Sequence, residues 1–295
     1  MMRMSIAHKS NQRAFGGFIA AIGIVVTLLS GGQALAAGGG GKTPENPGFS
    51  FEGPFGVFDQ AQLQRGFKVY KEVCSSCHGM KLMSYRNLGQ KYGPFYDPKY
   101  PNPNDNPYVK AIAAEYEVPS IDPDTGDIIS IKATPSDFFK SPFPNVEAAA
   151  ASNGGAAPPD LSVITKARKG GARYLYSFLI GYNDPPKGLT VASGQYYNAY
   201  VNGDLSTQWE GDKHHVPKGG VVAMPSQLTP ERVTYDDGTK ATVKQQAEDV
   251  AAFLEWAADP HATERKSTGL AVLLYLFLFA SICYLAYATM WKGKH

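Results

Sequence analysis

Five consecutive residues carry most of the chemistry open to this 295-residue chain: Cys74-Ser75-Ser76-Cys77-His78. Two thiols separated by two residues, with an imidazole directly after, form the C-x-x-C-H pattern of covalent haem attachment. The thiols add to two vinyl groups on one porphyrin edge, and His78 then lies beneath the iron as an axial ligand. A thiol–disulfide redox pair would want a βαβ setting, which does not flank this motif. A structural zinc ion would need a second ligand pair at suitable spacing. The third cysteine, Cys283, lies in an apolar run near the C-terminus. The motif therefore predicts one covalently attached haem c.

Iron held by a single His is either open, for chemistry, or closed by Met or His, for electron transfer. Met80 and Met83 are too near His78 in sequence to reach the opposite face of a rigid macrocycle easily. His261 lies past the last predicted helix of the haem region. His214 and His215 sit among Gly211, Asp212 and Lys213, a polar stretch suited to solvated side chains. Met224 follows the apolar Val221-Val222-Ala223 and precedes Pro225, which stiffens the chain. The residues favour Met224 as the second ligand and leave the histidine pair open. A core methionine filling a gap is the plain alternative.

These residues need elements to hold them. Asp59 is placed to cap a helix, with Gln62 three positions on and Phe58 and Leu63 at the staple positions. Leu63, Phe67 and Tyr70 share one face of that helix, which runs straight into the thiol motif, and Gly66 admits a second helix at close range. A partner helix is predicted over 242–258. Thr242 and Gln245 form its cap, Val243, Ala247, Val250, Leu254 and Ala257 its apolar stripe, and Pro260 its stop. Between the two, 12 of the 21 prolines fall between Gly93 and Asp160, so long irregular connections are expected. Short helices are predicted at Ser136 to Phe139 and within Pro159 to Tyr182, best over Arg173 to Ile180. The fold class is mainly α with long irregular loops.

The two ends differ from the middle. Residues 1–36 carry Arg3, Lys9 and Arg13, an apolar run from Ala14 to Leu29 and a small-residue stretch ending Ala34-Leu35-Ala36, which reads as a secretory signal. A flexible lead-in, 37–58, would follow, starting with Gly38 to Gly41, before a haem domain over 59–264. Residues 269–291 are uncharged and long enough to cross a hydrocarbon core, leaving 292–295 as a tail. With the signal exporting the middle, the haem domain is expected in the periplasm, anchored to the inner membrane by a single pass, with the C-terminus cytoplasmic.

The whole-chain charge of +2 hides this layout. Of 28 Lys and Arg, three lie in 1–36 and four in 265–295, so 37–264 has 21 against 26 Asp and Glu, a net −5. That excludes nucleic-acid binding by bulk positive charge and favours a cationic partner. Glu115 to Asp127 is the densest acidic stretch, read first as a solvated loop. As a calcium loop it fails, because Gly126 falls one position early and Ala133 stands where the closing Glu should be.

Several further blocks give the chain a family likeness. They are Met83-Ser84-Tyr85-Arg86-Asn87-Leu88, Asn153-Gly154-Gly155-Ala156-Ala157-Pro158-Pro159-Asp160-Leu161-Ser162, Ala167-Arg168-Lys169-Gly170-Gly171, Asp236-Asp237-Gly238-Thr239 and Asp249-Val250-Ala251-Ala252-Phe253-Leu254-Glu255-Trp256-Ala257. With the haem motif and the tail anchor, the sequence resembles cytochrome c1 proteins, the haem-bearing subunits of cytochrome bc1 complexes, in a bacterial version. The resemblance implies a cytochrome c-like haem domain plus one transmembrane helix. It implies Cys74, Cys77 and His78 on the haem and Met224 as sixth ligand. It also implies Arg168 and Tyr174 at a propionate, and Asn153, Pro158 and Pro159 as shape elements of the pocket. The expected partners are a cytochrome b subunit, a Rieske iron–sulfur protein, a cationic cytochrome c acceptor and membrane lipid, in a dimeric complex. A polar insert between Ser193 and Val222 looks longer than in mitochondrial versions, and the cysteine pair that braces this region in some bacterial members is absent, which leaves Met224 to be held by packing alone. A tail-anchored haem subunit of a terminal oxidase and a c-type haem peroxidase are the competing readings.

Overall fold

A computed structural model describes residues 40–293. The signal expected over 1–36 and the last two residues of the tail lie outside the described residues. Helix α1, Gln60–Glu72, begins where the Asp59 carboxylate accepts from the backbone N–H groups of Ala61 and Gln62, satisfying two otherwise orphaned donors. The Gln62 side chain does not close a reciprocal box; it reaches across to Glu248 at 3.0 Å. Two short helices follow, α2 (Pro107–Ala113) and α3 (Val146–Ser152), capped by the side chains of Asn106 and Asn145. Helix α4 is Gly171–Ile180, α5 is Val243–Ala258 and α6 is Ala262–Trp291. Thr242 caps α5 by accepting from Gln245 N–H at 3.1 Å.

The core forms where α1 and α5 cross, with α4 packed on α5. A Cβ on Gly66 would lie 2.6 Å from Phe253 Cβ and inside contact of the Asp249 carbonyl, so the two backbones meet because residue 66 has no side chain. Around the crossing, the Phe253 ring lies 5.7 Å from Phe67, 5.8 Å from Tyr70 and 5.7 Å from Trp256. Beside it, Arg65 bonds through Nε and Nη2 to the fully buried Asp249 (3.1 and 3.2 Å) and through Nη1 to Asp237 (2.8 Å). Burial pushes the Asp249 carboxyl up, while Arg65, Tyr235 and Gln245 pull it back.

Two small antiparallel pairs decorate this core. Strands β1 (Glu117–Ile121) and β2 (Ile128–Lys132) pair with Glu117 opposite Lys132 and Ile121 opposite Ile128. The acidic stretch expected as a plain loop is therefore a hairpin, its turn tied by Asp122 Oδ1 accepting from Asp124 N–H at 2.9 Å. Strands β3 (Tyr196–Asn198) and β4 (Gly220–Val222) pair with Tyr196 opposite Val222, and Leu189, Tyr197, Ala199, Tyr200 and Leu205 make a second, smaller core there. The polar insert is thus a built lobe.

Two sequence expectations need correction. Ser136 to Phe139 is a turn followed by a bridge between Phe138 and Ser84, not a helix, because the Asp137 side chain bonds back to Thr134 N–H at 2.7 Å and ties the backbone locally. Residues 40–58 are no loose lead-in: Lys42 N–H bonds the Ala199 carbonyl at 2.8 Å, and Glu45 N–H the Ser177 hydroxyl at 2.7 Å. The last helix begins at Ala262, just after Pro260, and contains the whole uncharged run 269–291. At about 1.5 Å per residue its 30 residues span roughly 45 Å, and its apolar side chains, such as Leu273 and Phe277, face outward. It is long and apolar enough to cross a membrane.

Candidate haem site

Helix α1 delivers the haem motif directly. Its last turn passes into a 3-10 turn over Cys74–Ser76, and the N–H groups of Cys77 and His78 both bond back to the Cys74 carbonyl, at 3.2 and 2.9 Å. Ser75 Oγ donates to the Lys71 carbonyl at 2.6 Å and Ser76 Oγ to Val73 at 3.0 Å. These bonds hold both thiols on one tight turn. The thiols are unbridged. Burial, with Cys77 beside it, pushes the Cys74 thiol up to about 12. A redox-active C-x-x-C lowers its thiol pKa instead, so the environment argues against that use.

His78 is aimed by a carbonyl. Its Nδ1 lies 2.7 Å from the Pro159 oxygen, which only accepts, so Nδ1 carries the proton and Nε2 keeps its lone pair. Burial lowers the His78 pKa against the opposing pull of the Pro159 bond and Asp160, which favours the neutral ring an iron ligand needs. The Pro159 segment is in turn stitched to the motif. Leu161 N–H bonds the Gly79 carbonyl at 2.8 Å, Asp160 Oδ2 accepts from Lys81 N–H at 2.9 Å, and Asp160 Oδ1 accepts from Ser162 N–H at 2.9 Å. Sequence reasoning cast Pro159 as shape and passed over Asp160. The available signal was a carboxylate directly after two prolines, where the rigid chain presents it to a neighbour.

A second set of residues gathers along α4. Tyr174 and Phe178 share one face of α4 and Tyr182 follows just past its end, bridged to Asn198; their rings follow each other at 6.2 and 5.6 Å. Tyr182 Oη donates to the Met224 carbonyl at 3.0 Å. Burial pushes the Tyr182 phenol up, so it stays protonated and able to donate. At the other end, burial raises the Tyr174 phenol and the nearby Arg168 charge draws it down. Tyr174, Phe178, Tyr182 and the Met224 carbonyl therefore form one continuous series, with the Arg168 charge near the Tyr174 end. Tyr182 was missed in the sequence, although its spacing from Tyr174 was visible there.

Arg168 is exposed, and its side chain bonds the neighbouring Ala167 carbonyl at 3.1 Å; among the described residues no carboxylate pairs with it. Lys166, two positions earlier, is held 3.3 Å from both Glu255 and Asp259. The Arg168 guanidinium fork is thus open to a carboxylate from outside the chain, and its planar geometry suits one better than the ammonium of the neighbouring exposed Lys169. The competing axial ligands are placed elsewhere. Met80 and Met83 are in the core, His215 is exposed with Nδ1 2.7 Å from Asp212, His214 is exposed, and His261 pairs with Glu264 at 3.3 Å.

The sequence matches the model of the Cytochrome C1 family over residues 49–294. The chain belongs to the cytochrome c1 family. It is 41% identical over 291 residues to cytochrome c1 of Rhodospirillum rubrum, covering 91% of this chain and 97% of that one. It is 37% identical over 246 residues to "Cytochrome c1, heme protein, mitochondrial" of Saccharomyces cerevisiae, covering 83% of this chain and 71% of that one. A Bradyrhizobium diazoefficiens protein named "Cytochrome b/c1" is 38% identical over 296 residues, and this chain spans 40% of its length.

The donor set fits the haem of a cytochrome c1. Two unbridged thiols share a turn, a neutral imidazole has its outer nitrogen already engaged, and a guanidinium without a carboxylate partner among the described residues is at hand. Asn153 acts locally, where its Nδ2 donates to the Ala149 carbonyl at 2.8 Å and closes the C-terminus of α3. Pro158 is half-buried and Pro159 exposed, so their contribution is rigid shape, with the Pro159 carbonyl as the one polar contact.

Proposed function

We propose that this chain is the haem-bearing electron-transfer subunit of a cytochrome bc1 complex, passing single electrons from the Rieske iron–sulfur protein to a cytochrome c. The observation that carries the reading is the bond from His78 Nδ1 to Pro159, which leaves Nε2 to the iron on a motif that holds both thiols. Cys74 and Cys77 would hold the haem covalently through their thiols, and His78 and Met224 would hold its iron. Bound haem supplies a one-electron iron couple, whose potential His/Met ligation raises. The chain's own residues do the rest. Pro159 and Asp160 fix the imidazole, Tyr182 fixes the backbone at Met224, and Arg168 with Tyr174 receives a propionate. With His78 and Met224 both holding the iron, the site would be closed to oxygen and peroxide, and no side chain would have to move a proton. Quinol chemistry belongs to other subunits, so the chain has no catalytic chemistry of its own.

Helix α6 anchors the chain to the inner membrane. The haem domain lies in the periplasm, the C-terminus in the cytoplasm, and the complex is a dimer with cytochrome b, the Rieske protein and lipid. The net −5 of the exported portion suits a cationic acceptor. Spectroscopy of the purified protein tests the ligand set. Low-spin ferric haem with the weak Met-to-iron charge-transfer band is expected, and Met224→Leu should abolish the band. High-spin haem that takes up cyanide at once would instead establish an open, peroxidase-like site. Gentle detergent purification should bring cytochrome b and a Rieske protein with it; co-isolation with oxidase subunits would replace this reading.

A further inference from the structure

We propose that residues 40–45 form a strap that positions Met224, taking the place of a covalent brace in the lobe that carries it. The inference rests on Met224 being the sixth ligand. Met224 lies two residues past β4, whose partner β3 is only three residues long. Two strands of this length are marginal by themselves. The lobe is held to α4 from one side: Asn198 Nδ2 donates to Phe178 at 2.8 Å, Ala199 N–H bonds Gly181 at 3.0 Å, and Tyr182 reaches Met224. None of the three cysteines lies in the lobe, so no disulfide closes the other side.

The strap closes it. Lys42 N–H bonds the Ala199 carbonyl, Gly41 N–H bonds Asn202 Oδ1 at 3.2 Å, and Gly219 N–H bonds the Gly40 carbonyl just before β4. Its far end is fixed twice, by Glu45 N–H on the fully buried Ser177 hydroxyl and by Tyr200 Oη donating to the Glu45 carboxylate. Three backbones converge here because glycines face one another. A Cβ on Gly41 would lie 2.7 Å from Asn202 Oδ1 and 2.8 Å from the Tyr200 carbonyl oxygen; one on Gly203 would lie 2.9 Å from Gly220 Cα; one on Gly219 would lie 2.7 Å from the Asn198 carbonyl oxygen. Gly40 and Gly41, which read as part of a flexible linker, here form a packing surface. The strap therefore ties α4 to both strands of the pair that delivers Met224, and loosening it should raise the fraction of time that Met224 leaves the iron.

The test uses the full-length, haem-loaded ferric protein in detergent, with the rate of cyanide binding and the Met-to-iron band as readouts. Tyr200→Phe and Glu45→Leu each remove the same bond. Each should speed cyanide binding about tenfold, as expected for losing one well-made polar contact, and the double variant should go no faster than either single one. Gly41→Val, which drives a side chain into Asn202 and Tyr200, should act more strongly; if it fails to fold, the two polar variants still decide. Parental cyanide rates in Tyr200→Phe and Glu45→Leu would overturn the strap. Survival of the band in Met224→Leu would overturn the ligand assignment separately.

Discussion

Replacing Gly66 with Ala tests the crossing on which the haem motif depends. In a solvent-exposed helix this change would stabilise by about 1 kcal/mol, since Ala restricts the unfolded chain. Here the added methyl would lie 2.6 Å from Phe253 Cβ and 2.8 Å from the Asp249 carbonyl carbon. Carbon atoms pack best at about 3.5–4.0 Å, so α1 and α5 must separate by about 1 Å, and a gap of that size forfeits a quarter to a half of each dispersion contact along the seam. Phe67, Tyr70, Val250 and Phe253 all pack there. Overpacking of this kind costs about 3 kcal/mol, against about 1 kcal/mol of helix propensity, which leaves about 2 kcal/mol of destabilisation. For a domain of this size that corresponds to a fall in Tm of about 4–8 °C. Thermal unfolding of the purified protein reads it directly, and a haem stain on a denaturing gel reads how much chain still acquires covalent haem. Gly269→Ala in α6 is the control: nothing stands within 4 Å of the new methyl, so it should not lower Tm. A Gly66→Ala protein that melts at or above the parent would refute the reasoning.

Two further outcomes follow from the ion pairs. Arg65→Met should cost about 3–5 kcal/mol because it strands the buried Asp249 carboxylate. With the guanidinium gone, the Asp249 pKa lies still further above its unfolded value, so the variant should gain stability as pH falls from 7 towards 5; a pH-independent deficit in chemical denaturation would contradict this. Asp259 behaves in the opposite sense. Arg265 and then Lys166 hold its folded pKa below the ordinary carboxylate value, so its contribution is present above about pH 4 and is lost as pH falls through the depressed value. The difference in Tm between the parent and Asp259→Asn should therefore be largest near neutrality and close to zero at about pH 2; a constant difference would show that Asp259 acts by packing.

The helical frame was legible because its signals are local. Asp59 and Thr242 cap the helices they were expected to cap, and the stripe Ala247, Val250, Leu254, Ala257 is buried as its period requires. Elements whose stability comes from a neighbour were not. Helices α2 and α3 are seven residues each, too short for a periodic signal. Strands β3 and β4 pair across 21 intervening residues, and a register of that range leaves no mark in either strand.

By itself the sequence determined that two thiols and a histidine lie together, because C-x-x-C-H places all three on a single turn whatever surrounds it. It also determined the apolar helix, because length and composition suffice for that. Only the tertiary structure decided how the histidine is aimed, since the acceptor of its proton is a carbonyl 81 residues away. It alone decided that Lys166 is engaged with Glu255 and Asp259 while Arg168 bonds only the neighbouring Ala167 carbonyl, since the two differ in their partners and not in their charge. And it turned a glycine-rich lead-in into a packing element, because what a missing side chain permits depends on which backbone comes to lie against it.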